Sequence, residues 1–203
     1  HGYLDRYNMT LKKYDIFAVL FFFLLVIFAL RGVIVSPGVI AGYDWGIPPE
    51  ANQIIRRYKE HLYTWLHFQD LSGLGQAEAQ MFGINLWSIP FLLASAGLTG
   101  DTISKLLVSF PLVMSGIFSY SLLRHFRRGC FSSVIGSIFY IFNPFVFNLV
   151  VLGGIWHLIN YAILPLTFYL FIKSVGPDKN WLKYSILTTF TLLVVPIHIF
   201  IFG

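Results

Sequence analysis

The stretch GCFSSVIGSIFYIFNPFVFNLVVLGGIWHLINYAILPLTFYLFI, residues 129–172, runs for 44 positions without one Asp, Glu, Lys or Arg. As continuous helix it would extend about 66 Å, roughly twice the hydrocarbon core of a bilayer, so it predicts two crossings with a tight reversal between them. Asn143-Pro144 and Gly153-Gly154 punctuate the run and predict spans at about 131–150 and 155–173.

Working outward, the run is preceded by Arg124-His125-Phe126-Arg127-Arg128, a basic stop that closes a further predicted span at 103–123. Thr99 to Asp101 offer N-caps for that span. Towards the C-terminus, Lys173 to Lys183 form a polar connection, and a last apolar run from about 184 is still in progress at Gly203. The chain is therefore expected to be the N-terminal part of a longer protein. Towards the N-terminus, Ile16 to Leu30 carry no charge but reach only about 22 Å, so this helix is expected to continue past Arg31, giving a span at about 16–35. It is read as a retained span rather than a cleaved leader, although Val39-Ile40-Ala41 imitates a processing site.

Composition agrees with this reading. The 203 residues are 57% hydrophobic and 11% charged, with a mean hydropathy of +0.72, against the ~25% charged of a soluble domain. This argues against a soluble enzyme, and the predicted fold class is an all-α polytopic transmembrane bundle. The net charge of +5 comes from cations scattered between apolar runs, which gives no nucleic-acid-binding face and leaves them to orient the chain in the membrane. The single Cys130 permits no internal disulfide and reads as packing filler.

Between the first two spans lies the one large polar loop, residues 36–102. Residues 82–98 are uncharged but broken by Asn85, Ser88, Pro90 and Ser95, and either span or lie at the interface. Positive charges do not decide, since both topologies place nine inside and four outside. Lys12 and Lys13 directly precede the first span and favour a cytoplasmic N-terminus, with the loop outside and 82–98 lying flat.

Chemistry is to be sought in this loop. Gly42-Tyr43-Asp44-Trp45-Gly46-Ile47-Pro48-Pro49 holds a carboxylate between two aromatics near the membrane surface, where Asp44 could serve as a base or simply cap the helix that follows. Further on, Trp65 to Gln76 add His67, Asp70 and a Gly-rich turn. Two carboxylates in one loop permit general-base or metal roles, while a turn residue at Asp70 and a solvated His67 are the plainer alternatives. Arg31, within a helix near the outer boundary, either snorkels to headgroups or meets a phosphate; Arg56, Arg57 and Lys105 are further candidate phosphate contacts. His157 and His198 fall near the outer ends of spans and could line the same cavity as Asp44. No paired cysteines, His-x-x-x-His, phosphate-binding glycine loop or Ser-His-Asp arrangement is present.

The order of a basic flank, a first span, a loop Asp just past the membrane, Trp65 with Gly73 to Gln76 and Phe82-Gly83, then Pro90-Phe91-Leu92-Leu93 leading to Gly97-Leu98-Thr99-Gly100-Asp101, resembles GT-C type glycosyltransferases. Asn143-Pro144-Phe145, Gly153-Gly154, Tyr161-Ala162 and Leu164-Pro165-Leu166 are similar to the third and fourth spans of the arabinofuranosyltransferase-like branch. The resemblance covers nearly the whole chain, as a pattern of spacings and apolar types. It implies transfer of a sugar from a polyprenyl-phosphate donor to a glycan or glycoconjugate acceptor at the outer face of the cell membrane. Asp44 matches the family's general base, with Asp70 a second catalytic candidate and Trp45, Arg31, Arg56, Arg57, His67, His157 and His198 candidate substrate contacts. Asp44 lacks the adjacent acidic residue that some members carry, which leaves a divalent metal as an open question and implies no other cofactor. A transporter or lipid flippase, and a non-catalytic GT-C-like scaffold, are the competing expectations.

Overall fold

The computed structural model describes residues 2–42, 45–60, 65–66, 76–77, 88–126, 128–176 and 180–194. The fold is mostly helical. Helix α1 (Gly2–Ala29) is followed, after Leu30, by α2 (Arg31–Val35); two-residue strands β1 (Ala41–Gly42) and β2 (Trp45–Gly46) pair antiparallel, and α3 (Ala51–Glu60) follows. A second ladder joins β3 (Trp65–Leu66) to β4 (Gln76–Ala77). Then come α4 (Ser88–Ser95), α5 (Gly100–His125), α6 (Cys130–Ile141), α7 (Pro144–Leu152), α8 (Ile155–Val175) and α9 (Trp181–Val194).

Among the described residues two helices, α5 and α8, are individually long and apolar enough to cross a membrane, and α6 with α7 makes a third crossing if the pair, bent by 40°, counts as one. Phe17, Leu24, Phe110, Phe131, Phe139 and Phe147 all turn outward, as side chains facing lipid would. The apolar part of α1, Asp15–Ala29, is shorter than a full crossing. Hydrogen bonds from Ile34 N to the Leu30 carbonyl and from Ser36 N to the Gly32 carbonyl carry the helical path past Arg31 to the end of α2. The expected fifth span falls on α9, but residues 195–203 lie outside the described residues. Of the ambiguous stretch 82–98, the described part is α4, whose 8 residues reach only about 12 Å and pack against α3 with Tyr58 stacked on Phe91 at 4.2 Å.

The bundle is organised around α5, which packs against α1, α6 and α8. Small residues permit these approaches: a Cβ on Gly116 would fall 2.7 Å from Ile141 Cδ1 and 3.0 Å from Phe22, and one on Gly136 would fall 2.7 Å from Leu123 Cδ1. Ser115 and Ser119 of α5, and Ser133 and Ser137 of α6, are buried. Each hydroxyl donates to a carbonyl one turn back in its own helix, so none is left unpaired between the apolar surfaces.

The reversal predicted from 129–172 has a specific chemistry. Asn143 caps α7 by accepting from Val146 N at 2.9 Å, Pro144 occupies the first helical turn, and Gly153, at φ +78°, ends the helix in the left-handed conformation while Gly154 N donates to the Leu149 carbonyl at 2.8 Å. Pro144 and Pro165 each lack the N–H that would reach back four residues, which leaves the carbonyls of Tyr140 and Tyr161 without their usual helical donors. The two tyrosines repair both losses. Tyr140 OH donates to the Tyr161 carbonyl and Tyr161 OH to the Tyr140 carbonyl, each at 2.9 Å, with Asn143 Nδ2 adding bonds to the Tyr140 carbonyl (2.9 Å) and to Tyr161 OH (2.8 Å). The rings stack at 4.3 Å and 12°. A bend that would expose polar backbone to lipid is thereby closed by the neighbouring span.

Candidate functional site

The first loop is fastened to one end of this bundle. Lys105 Nζ, in the second turn of α5, donates to the Ser36 carbonyl at 2.6 Å and to Asp101 Oδ2 at 2.9 Å. Ile40 N donates to Ser104 Oγ at 3.1 Å, and Ser104 Oγ donates to the Asp101 carbonyl at 2.9 Å. Gly100 N donates to the Pro49 carbonyl at 2.9 Å, and a side chain at Gly100 would collide with the backbone of Pro48. Thr99 caps α5 here, with Asp101 in the first turn where its charge suits the helix dipole.

Between these fastenings the hairpin β1–β2 touches the α7–α8 junction. Gly42 pairs with Trp45 across the ladder, and the backbone of Gly42 packs directly on Gly153 at the α7–α8 junction. A Cβ on Gly42 would fall 2.7 Å from the Leu152 carbonyl oxygen and 2.9 Å from Gly153 N, closer than real Cβ atoms come. From α3, Arg57 Nη1 donates to the Gly46 carbonyl at 2.6 Å. Residues 36–49 thus meet α5, the α7–α8 junction and α3 in turn.

Of the residues singled out from sequence, the structure brings several to this end. Trp45 is held through its backbone in the ladder, Arg57 grips the same hairpin, and His157 stands exposed in the first turn of α8, three residues after Gly154. Arg56 is exposed on α3 and has a partner of its own. Arg31 is exposed with its guanidinium 4.7 Å from the centre of the Phe28 ring, a contact within its own helical segment. Asp44, His67, Asp70 and His198 lie outside the described residues. Lys105 differs from expectation: its side chain is 13% exposed and fastens the loop to α5, so its charge is already engaged by Asp101.

Among the described residues no three His, Cys, Asp or Glu side chains come together to hold a metal ion. Sequence reading missed the fastening of Ser36 by Lys105 and the contact of Gly42 with Gly153. Only the presence of glycine at both positions of the latter pair hinted at a close backbone approach. Comparison with protein-family models, curated proteins and solved structures finds no match for this chain.

Proposed function

We propose that the chain is the membrane-embedded N-terminal part of a GT-C type glycosyltransferase, seated in the cell membrane with its N-terminus in the cytoplasm and its first loop outside. The observation that carries this reading is the fastening of the loop segments on either side of Asp44: Ser36, Ile40, Gly42, Pro48 and Pro49 are each held to the bundle and Gly46 is held to α3, so the hairpin arms have a defined place beside the helix ends. A base needs such a support, because proton transfer falls off steeply when donor and acceptor are not held in reach.

In this mechanism the Asp44 carboxylate takes the proton of an acceptor hydroxyl as that oxygen forms its bond to the anomeric carbon of the sugar. The bond from that carbon to the polyprenyl-phosphate oxygen breaks, and the lipid phosphate leaves with the electron pair. Displacement from the opposite face inverts the anomeric configuration. Arg56 and Arg57 supply positive charge on the same side of the bundle for the phosphate, and His157 lines the acceptor side. Membrane lipids surround the bundle and deliver the donor.

A transporter or flippase draws support from the broken α6–α7 pair, since broken spans in transporters expose carbonyls that hold cargo. Here the orphaned carbonyls of Tyr140 and Tyr161 are already occupied by hydroxyl and amide donors, which weighs against that use.

The test has two parts, both in the full-length protein. A cysteine at Ser72 in a Cys130→Ser background should react in intact cells with a thiol reagent that cannot cross membranes; reaction only after lysis would reverse the loop's sidedness and sink the proposal. Supplied with a pool of mono- and oligosaccharide acceptors, purified protein should transfer the sugar and release farnesyl phosphate from one of a panel of synthetic farnesyl-phosphate-linked pentoses and hexoses, and Asp44→Asn should lower that release by about 100-fold or more.

A further inference from the structure

We infer that Gly42 and Gly153 are positioning residues for this reaction: their backbone contact holds the Asp44-bearing hairpin to the α7–α8 junction. The inference rests on the glycosyltransferase reading for its chemistry, but the contact itself stands on geometry. Added as a Cβ to Gly42, a single methyl group would meet the Leu152 carbonyl oxygen at 2.7 Å and Gly153 N at 2.9 Å; added to Gly153 it would meet Gly42 N at 3.0 Å and Gly42 C at 3.1 Å. None of these atoms belongs to a flexible side chain, so neither partner can yield without moving a segment of backbone. Gly153 also sits at φ +78°, where a side chain is strained whatever the space around it.

The same hairpin contains its own control. Gly46, on the strand paired with β1, has nothing within 4 Å of where its Cβ would stand. An alanine there adds the same methyl to the same ladder with no collision. The hairpin is exposed at Ala41, Gly42 and Gly46, so a collision at Gly42 can be relieved by lifting the hairpin away from the junction while the buried helices stay packed. The α5 side of the loop would remain anchored through Lys105 and Ser104. Lifting would separate the arms beside Asp44 from the first turn of α8 and from His157. A displacement of about 1 Å at a reacting group costs on the order of 100-fold in rate.

The experiment places cysteines at Ala41 and Leu152 of the full-length protein in the Cys130→Ser background and joins them with a short bismaleimide. Turnover is followed as farnesyl phosphate released from the synthetic farnesyl-phosphate-linked sugar that the panel identifies. The cross-link should form in the parent and leave its turnover intact. Gly42→Ala should lose about 100-fold in kcat at unchanged KM, whereas Gly46→Ala should keep the parental value. Gly42→Ala retaining the parental kcat would overturn the inference. Should Gly42→Ala fail to accumulate, the parent decides alone: loss of turnover on cross-linking would show that the contact is not the working arrangement. Asp44→Asn run alongside separates the two claims. Full turnover in Asp44→Asn removes the catalytic reading and the inference with it, while an inactive Asp44→Asn beside a fully active Gly42→Ala removes the positioning role only.

Discussion

The two ends of the bundle are held by different kinds of contact. At the loop end the decisive contacts involve backbone: Gly42 on Gly153, Gly100 on Pro48 and Pro49, and the Lys105 ammonium on the Ser36 carbonyl. At the opposite end side chains meet side chains. Tyr120 OH donates to Asp15 Oδ1 at 2.7 Å and lies 3.5 Å from Cys130 Sγ, Arg124 Nε approaches Asp15 at 3.7 Å, and His125 meets the Tyr169 ring edge-on at 5.4 Å. Side-chain contacts can repack when one partner changes, whereas backbone contacts set where a segment lies and leave its neighbouring side chains to other tasks. The loop end is therefore the one where the path of the chain itself is fixed.

The largest effect that would sharpen this contrast is on turnover. Asp44→Asn should lower release of farnesyl phosphate by about 100-fold to 10,000-fold with an unchanged melting temperature. Asp15→Asn, at the other end, should leave turnover within about twofold, since it keeps an acceptor for Tyr120 and touches no reacting group; a large loss there would erase the distinction between the ends. Next in size is Lys105→Met, which keeps the apolar stem but strands Asp101, whose Oδ1 is already buried without a partner. Chemical denaturation in detergent should show a loss of about 2 kcal/mol. Tyr120→Phe removes a hydroxyl that bonds a half-exposed carboxylate able to turn to water, and should cost about 1 kcal/mol in the same assay. Arg124→Gln should be the mildest, below about 1 kcal/mol, because its ion pair with Asp15 is long and partly solvated. If Arg124→Gln proved costlier than Lys105→Met, the ranking of the two ends would be reversed.

Much of the helical layout was legible because its signals are local. Gly153-Gly154 carry the demand of a left-handed stop within their own residue types, so the reversal between α7 and α8 follows from them, whereas Asn143-Pro144, read as punctuation within one span over 131–150, in fact ends α6 and starts α7. The basic run after α5 likewise marks its end, with Arg124 and His125 in the last turn. The candidate site was less legible for a physical reason. Lys105 reaches Ser36 across 69 positions, and Gly42 meets Gly153 across a still longer separation, each contact ending on backbone atoms that every residue possesses. A contact received by backbone leaves little signature in the sequence beyond the glycines that permit a close approach. The tyrosine exchange was hidden differently, since each hydroxyl serves a carbonyl exposed by a proline four residues further along the other tyrosine's segment.

That exchange has a consequence for biogenesis. As the ribosome delivers the chain, α6 and α7 emerge before α8, and until Tyr161 arrives the Tyr140 carbonyl has Asn143 alone to serve it. Entering the lipid at that stage means carrying under-satisfied backbone into a medium without water, at a cost of several kcal/mol per unsatisfied group. Waiting for α8 removes that cost at the carbonyls freed by both prolines at once. The pair and its successor are thus expected to leave the translocon together, as a preassembled hairpin: a nascent chain arrested after Gly154 should integrate poorly, one arrested after Val175 should integrate well, and Tyr161→Phe should narrow the gap between them.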